Sequence, residues 1–329
     1  MRLIKKHLLL QILLSLIVAG LTMSEGFTQS AYPNRPIKLI VPYPAGGAAD
    51  ITARLMAQSL TKSLGQSVIV DNRPGANGMI GSDVVAKSPA DGYTLLLTAS
   101  GPLVINPVLY KKVPFDPIKD FAPISLLVNY QYALVVPSNS PIQSVSDIVT
   151  KGKASPKELS FGSTGIGGGG HLAGELFSLM TGAEFTHVPY KGAAPALADL
   201  LGGQLSFTFE PLVTAVTMIK AGRLRGFAVS SSQRSQSIPN LPTMEEIGYK
   251  GFNISQFQGL LAPAGTDSAI IKLLHEHAIK ALQEPGNIQA LVNDGGNRIV
   301  GNTPSEFEAQ IKTELNMYGK LIRDAHITQ

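Results

Sequence analysis

The chain contains no cysteine among its 329 residues. This absence excludes disulfide bonds, thiol catalysis, zinc sites ligated by cysteine and a lipid anchor attached to cysteine. Charged residues are also few, at 15%, and the formal net charge is only +4. Residues 1–30 hold half of that net charge, so the remainder carries +2. Such a balance is not that of a nucleic-acid-binding protein.

Long hydrophobic runs are missing after the N-terminus. The first 30 residues instead resemble an export signal: three basic residues (Arg2, Lys5, Lys6) precede an apolar run over 8–18. Small and polar residues follow, and cleavage could occur before Ala31. A membrane anchor is the alternative, but the run is short for a span. We therefore predict a signal peptide over residues 1–30, its removal, and a mature protein in the periplasm.

The stretch from Ile37 to Leu60 organises the rest of the chain. An apolar β-branched run is followed by Pro42, Pro44, Gly46 and Gly47, and then by apolar residues at helical spacing. This pattern predicts a strand, a tight glycine turn and a helix N-terminus. The unpaired amides and the dipole at such a terminus favour an anion.

Apolar strands and helices alternate along the chain, which indicates sheets with parallel strands and helices on both faces. The length and the 44% hydrophobic content favour two lobes with a substantial core. Extended runs at 121–128 and 132–136, interrupted at 129–131, suggest a first passage between lobes. A second passage is expected near 252–257. Ligands bind beyond the carboxyl ends of strands in such sheets, so the loops after Tyr43 and Thr98 should share one crevice.

A second glycine loop, 165–170, formally matches the dinucleotide pattern between a strand and a helix. A dinucleotide site needs an acidic residue near the end of the next strand, which here ends at 188–190 without one. A Walker loop needs lysine and serine or threonine after the glycines, and here His171 follows. The loop is better interpreted as a second anion-facing helix N-terminus, or as a plain turn in which glycine permits close packing.

Enzyme motifs are weak. No G-x-S-x-G elbow or H-E-x-x-H zinc motif is present. Ser163 and His171 are close in sequence, which leaves an exported hydrolase as a rival hypothesis. His171 and Glu175 share a helix face, either as a surface pair or with the histidine on the pocket side. Asp50 could support its loop or contact a ligand, and Glu210 could read a ligand from a strand end or be a solvated acid.

Five long segments resemble one family in the right order. They are VPYPAGGAAD (41–50), DNRPGANG (71–78), DGYTLLL (91–97), FGSTGIGGGGHLAGELF (161–177) and VPYKGAAPALADLLGGQ (188–204). The chain is thereby similar to the Bug (TctC) family, the substrate-binding proteins of tripartite tricarboxylate transporters. The resemblance extends from about Pro36 to near the C-terminus.

The resemblance implies an α/β periplasmic binding protein fold of the type II-like kind, with two crossover strands and mainly parallel sheets flanked by helices. It assigns 31–128 plus 258–329 to lobe 1 and 129–257 to lobe 2, with the ligand cleft between them. It also implies a small carboxylate ligand, no enzymatic activity, no cofactor or metal, permease subunits as partners, and a monomer. The ligand-binding residues, carried over or added from the patterns above, are Tyr43, Ala45, Gly46, Gly47, Asp50, Ser100, Ser163, Thr164, Gly165, His171, Tyr190, Lys191, Gly192 and Glu210. A sensor that presents the same clamp to a signalling receptor remains an alternative to transport.

Overall fold

The computed structural model describes residues 32–324 and shows an α/β architecture. The strands of this part of the chain are β1 (Ile37–Val41), β2 (Val68–Asn72), β3 (Thr94–Ala99), β4 (Phe121–Pro137), β5 (Ser160–Ser163), β6 (Thr186–Pro189), β7 (Phe207–Pro211), β8 (Leu224–Val229), β9 (Ser255–Pro263) and β10 (Arg298–Ile299). The α-helices are α1 (Ala48–Leu64), α2 (Met79–Ala86), α3 (Asn106–Leu109), α4 (Val145–Ala154), α5 (Gly169–Thr181), α6 (Ala193–Leu201), α7 (Leu212–Lys220), α8 (Ser268–Leu282), α9 (Pro285–Ile288) and α10 (Pro304–Asp324). A 3₁₀ turn at Ala76–Gly78 and π-helical turns at Gly101–Ile105 and Gln289–Asp294 join them.

The first sheet has the strand order β2-β1-β3-β9-β4, with β10 beside β4. Strand β1 is parallel to both β2 and β3, whereas β9 is antiparallel to β3 and β4. The middle of β3 is buried throughout because helices cover both faces of the sheet, and its residues Leu95, Leu96 and Leu97 are accordingly all apolar. The second sheet has the order β4-β7-β5-β6, with β8 also beside β4.

Strand β4 belongs to both sheets. Its first eleven residues, 121–131, pair with β9, and residues 132–137 pair with β7 and β8. The expected interruption at 129–131 is wrong, because Asn129 and Gln131 pair through their backbones with Phe257 and Ser255 of β9. The side chains there are polar, but strand pairing requires only backbone groups. Likewise, β9 runs without a break from 255 to 263.

The C-terminal helix α10 closes the core of the first sheet. Its apolar side chains Phe307, Ile311 and Tyr318 are buried against Phe257 and Leu261 of β9. Polar residues occupy the opposite face, as expected for an amphipathic surface helix. The last helical segment of the chain therefore returns to the first sheet.

No helix within residues 32–324 is long and apolar enough to cross a membrane. The predicted signal peptide and its cleavage position lie outside the described residues.

Gly259 of β9 permits the close approach of helix α10. A methyl group added there would lie 2.2 Å from Cζ of Phe307, a ring that is fully buried. We expect Gly259→Ala to lower the free energy of unfolding by about 1–3 kcal/mol, the usual cost of overpacking. Urea denaturation followed by circular dichroism measures this change.

Combining Gly259→Ala with Phe307→Leu tests whether overpacking causes the loss of stability, because the smaller leucine side chain makes room for the methyl group. We expect the double variant to be less destabilised than the sum of the two single changes. Simple additivity would contradict the packing explanation.

Candidate functional site

A small cavity lies where loops from both sheets meet. It encloses about 30 Å³, which is room for water but not for a larger molecule. Its walls come from the loop after β1 (Tyr43, Pro44, Gly47), from α1 (Ala48, Ala49), from the loop after β3 (Ala99, Gly101), and from Asn77. The second sheet and its loops contribute Thr164, Gly168, Ala193 and Pro211. The remaining lining residues lie on β4 and β9, here called the crossing strands: Tyr130, Tyr132, Gln256 and Gln258. The loops after Tyr43 and Thr98 share this crevice, as the sequence predicts.

The glycine loop before α1 leaves the start of that helix open. Gly46 adopts a left-handed conformation (φ 82°), and Gly47 is the extended N-cap residue. No side chain caps the helix. The amides of the first turn have no partners within the helix, and Ala48 and Ala49 line the cavity. This helix therefore presents amide donors and the positive end of its dipole to the cavity.

The loop before α5 has the same backbone arrangement. Gly167 is left-handed (φ 83°), and Gly168 is an extended N-cap that provides no side-chain cap. Gly168 lines the same cavity as Ala48 and Ala49. The two helix N-termini thus approach one space from different sheets.

Each loop is held by a side chain in the first turn of its own helix. The Gly46 amide donates to Asp50 Oδ2 (2.9 Å), and the Gly167 amide donates to His171 Nδ1 (3.2 Å). In each loop the acceptor is the third residue of the helix, and the donor is the amide of the residue before the N-cap. In a capping box the donor is the N-cap amide itself, so the arrangement here is displaced by one residue. In the described structure Asp50 and His171 therefore support the loops.

The charge states of these two acceptors differ. Burial opposes the ionisation of Asp50, but hydrogen bonds from Arg54, the Gly46 amide and Asn72 outweigh it and hold the pKa of Asp50 below its usual value. Burial lowers the pKa of His171 to about 4, so its ring is neutral near pH 7 and Nδ1 can accept a hydrogen bond. Glu175 Oε1 lies 3.6 Å from Nε2 of His171.

Ser163 contacts a different histidine from the one that the hydrolase hypothesis requires. Its Oγ lies 2.6 Å from Nε2 of His187, and the rings of His187 and His171 are 4.2 Å apart. Burial, together with the neighbouring His171, lowers the pKa of His187 to about 3. So low a pKa makes His187 a weak general base near neutral pH. This arrangement fixes the end of β5 and gives no support to nucleophilic catalysis.

Four polar side chains from the crossing strands line the cavity, and the sequence analysis did not select them. The hydroxyls of Tyr130 and Tyr132 both donate to Gln256 Oε1, at 3.0 and 2.8 Å. Burial raises the pKa of Tyr130 to about 12, so its hydroxyl keeps its proton. Within residues 32–324, Gln256 Nε2 and Gln258 Oε1 are buried without a hydrogen-bond partner. Two residues that line the cavity thus carry one unused donor and one unused acceptor, both buried.

Asn77 was also missed. It has a left-handed backbone (φ 47°), and its Nδ2 donates to Asn106 Oδ1 (2.8 Å). It lies beside the second glycine loop, since a methyl group added at Gly168 would be 3.5 Å from its Oδ1. The turn pattern around residues 74–78 was visible in the sequence, and asparagine is one of the few residues that tolerate this conformation. An asparagine within a proline-glycine turn was therefore the sequence signal from which Asn77 could have been selected.

The remaining predicted site residues occupy varied positions. Tyr43, Gly47 and Thr164 line the cavity. Ser100 is fully buried and accepts from the Phe257 amide, and Gly165 is left-handed (φ 121°) beside Asn77. Ala45 and Lys191 are exposed, and the Tyr190 hydroxyl donates to Asp199 (2.7 Å). Gly192 packs against Pro44, which lines the cavity: a methyl group added at Gly192 would be 2.3 Å from Pro44 Cδ.

Glu210 is a fully buried acid at the end of β7. Its carboxyl group accepts a hydrogen bond from Thr214, and burial raises its pKa to about 8. Glu210 is therefore mostly protonated near neutral pH and is not the solvated loop acid that the sequence left open. Among the described residues, no cluster of histidine and acidic side chains could hold a metal ion.

The titration of Glu210 makes stability depend on pH. The folded protein holds this proton up to about pH 8, whereas the unfolded chain loses it near the ordinary pKa of 4.5. Between these values the folded state binds more protons, so the free energy of unfolding falls as the pH rises. Relative to Glu210→Gln, we expect the wild type to lose about 2–4 kcal/mol across this window. Urea denaturation of both proteins over a pH series measures the difference.

The comparison with the variant cancels the opposite contributions of the buried histidines. A difference between wild type and variant that stays constant across this pH range would contradict the assignment of a raised pKa to Glu210.

A family model and a sequence relative both match this chain over most of its length. Residues 52–327 match the model of the family described as "Tripartite tricarboxylate transporter family receptor" (TctC). Protein BugT of Bordetella pertussis is 38% identical over 312 residues, covering 94% of this chain and 95% of BugT.

Two solved structures share the fold. The periplasmic binding protein BugD has a TM-score of 0.86 at 32% identity, and the match covers 90% of this chain and 99% of BugD. Rpa4515 of R. palustris, solved with adipate, has a TM-score of 0.87 at 34% identity, with 90% and 99% coverage.

These matches confirm the predicted periplasmic binding protein fold and the interpretation of the chain as a binding protein rather than an enzyme. They also confirm the resemblance stated from the sequence motifs. The chain belongs to the TctC (Bug) family of tripartite tricarboxylate transporter receptors.

Proposed function

We propose that this protein captures a small carboxylate between two lobes, residues 31–128 plus 258–329 and residues 129–257, and delivers it to a tripartite tricarboxylate transporter. The observation that carries the proposal is the pair of uncapped helix N-termini, at Gly47 and Gly168, that border one cavity. The solved relative with adipate supports this class of ligand.

The chemistry of the cavity suits a carboxylate without a charged partner. Within the part of the chain that the structure describes, no lysine, arginine or acidic side chain lines it. A carboxylate would instead accept hydrogen bonds from the amides at the starts of α1 and α5, where both dipoles favour negative charge. Hydrogen bonds to a charged group contribute about 1.5–3 kcal/mol each, so a few of them account for micromolar binding.

Ligand entry requires the two lobes to separate. The cavity has room only for water, and contacts between the lobes surround it. Gly192 lies against Pro44, and the Tyr110 hydroxyl donates to the Ile166 carbonyl (2.9 Å). We therefore interpret the structure as a closed form that opens by hinge motion before a ligand enters.

Side chains of the crossing strands would contact the part of the ligand beyond its carboxylate group. The unused Gln256 amide donor and Gln258 carbonyl acceptor are costly to bury without partners, at about 1–3 kcal/mol each. A ligand with neutral polar groups would satisfy both in the closed form, and water would satisfy them in the open form. We therefore add Gln256 and Gln258 to the ligand-binding residues, from Tyr43 to Glu210, that the sequence analysis predicts.

We propose that the protein acts in the periplasm after signal removal and delivers its ligand to permease subunits in the membrane. The family description "receptor" and the predicted signal peptide support this. We propose that the protein acts as a monomer. Presentation of the same closed form to a signalling receptor is the alternative.

Isothermal titration calorimetry tests ligand capture directly. The protein is unfolded and refolded to remove any ligand carried through purification, and is then titrated with mono-, di- and tricarboxylates, amino acids and aromatic acids. We expect at least one carboxylate to bind with micromolar or tighter affinity, and its amide analogue to bind far more weakly. The absence of binding by every carboxylate in the panel would contradict the proposal.

The variant Gly192→Ala tests closure. Its backbone is extended (φ 168°), so alanine causes no local strain, but the methyl group would meet Pro44. We expect the affinity for the carboxylate found above to fall about five- to hundredfold, because overpacking costs about 1–3 kcal/mol in the closed form alone. Calorimetry measures the affinity, and thermal unfolding without ligand checks that the fold is intact.

The matched control is Gly286→Ala, because a methyl group there meets nothing within 4 Å. We expect the control to bind as the wild type does. Unchanged affinity in Gly192→Ala would show that the lobes need not approach as closely as they do here.

A further inference from the structure

A second, larger groove lies beside the crossing strands. Its volume is about 610 Å³, within the usual range of small-molecule sites, compared with about 30 Å³ for the cavity described above. It combines residues of β4 (129–131) and the approach to β9 (253–255) with the segment after β8 (231–236) and the segment around β10 (292–299). We call it the hinge groove. The family-based interpretation leaves it unassigned.

Among residues 32–324, those that line the hinge groove carry positive charge and include no acidic side chain. Arg234 and Arg298 line it, together with several asparagine, glutamine and serine residues. Arg234 is partly engaged, since its Nε lies 2.8 Å from Glu246 Oε2. Arg298 is exposed and forms no ion pair within residues 32–324. An anion in the groove would therefore find an available guanidinium group.

Asn297 provides an independent indication of a ligand. It lines the groove and is 3% exposed, yet neither its side-chain nitrogen nor its side-chain oxygen has a partner within the described residues. Its backbone amide is already bound to the Leu291 carbonyl. A buried amide with both groups unused is unusual. If the side chain turned toward the groove, a molecule that both donates and accepts would satisfy it.

We propose that the hinge groove binds a small hydroxylated carboxylate. The carboxylate pairs with Arg298, whose planar guanidinium matches its geometry. Hydroxyl groups of the ligand donate to and accept from Asn297 and the other amide and hydroxyl side chains of the groove. A simple carboxylate would leave these groups unused, and a neutral sugar would leave the arginine unused.

Calorimetry with D-gluconate as the probe tests this site. The comparison probes are D-glucose, which lacks the charge, and inorganic phosphate, which lacks the hydroxylated carbon chain. We expect D-gluconate to bind at least about tenfold more tightly than either. D-glucose lacks the charge-assisted hydrogen bond, and inorganic phosphate lacks the several hydrogen bonds of the hydroxyl groups. Failure of D-gluconate to bind at millimolar concentration, or equal binding of D-glucose, would overturn the proposal.

Substitutions in the hinge groove test whether D-gluconate binds there. Arg298→Gln and Asn297→Leu should each weaken D-gluconate binding by about tenfold or more. Arg223→Gln, an exposed arginine that does not line the groove, should leave it unchanged. Arg298 is also exposed, so its replacement should not affect folding.

Ala193→Leu separates this site from the carboxylate cavity. It fills the small cavity that Ala193 lines, so D-gluconate binding should persist while binding of the carboxylate from the earlier panel is lost. Loss of D-gluconate binding in Ala193→Leu, with retention in Arg298→Gln, would place the probe in the small cavity and overturn the proposal. If D-gluconate binds in the groove but no carboxylate from the panel binds elsewhere, the capture proposal fails while this one stands.

Discussion

The antiparallel pairing of β4 with β9 is the constraint on which the rest of the structure depends. Strand β4 runs continuously from the first sheet into the second, and β9 pairs with its first-sheet part from Phe121↔Pro263 to Gln131↔Ser255. Register shifts interrupt the ladder near Pro123 and near Leu126. Two strands joined by backbone hydrogen bonds can bend together while keeping their register, which allows hinge motion without loss of the fold.

The two glycine loops show how similar sites arise in different sheets. Each has a left-handed glycine followed by an extended glycine N-cap, and each is held by a side chain on the third helical residue. One acceptor is an ionised aspartate and the other a neutral histidine, yet both accept from a loop amide. Because the loop's outer amide is used for support, the first-turn amides stay available for the carboxylate that we propose as the ligand. The groups that position each loop are therefore separate from the groups proposed to bind.

Much of the fold could be predicted from sequence because its signals are local. Glycines between an apolar strand and an amphipathic helix predict a turn and a helix start, and α1 begins directly after Gly47, as this pattern predicts. The continuity of β4 could not be predicted, because Asn129 and Gln131 are polar and only their pairing with β9 makes them strand residues.

The candidate site shows the same limit. Its glycine loops were visible, but Gln256 and Gln258 gave no sequence signal, since only tertiary structure brings their strand beside both loops. The partner of Ser163 proved to be His187, from the neighbouring strand β6, and not His171, which is nearer in sequence. Glu210 could be placed at a strand end, but its burial, and therefore its raised pKa, depends on side chains that pack around it from elsewhere in the chain.

We propose that amides at two helix N-termini, and not charged side chains, hold a carboxylate. A crystal structure of the protein with the tightest-binding carboxylate is the direct test of this binding mode. We expect carboxylate oxygens within hydrogen-bond distance, directly or through one water, of the first-turn amides of both α1 and α5. A carboxylate bound instead by the exposed side chain of Lys191, with those amides unused, would contradict it.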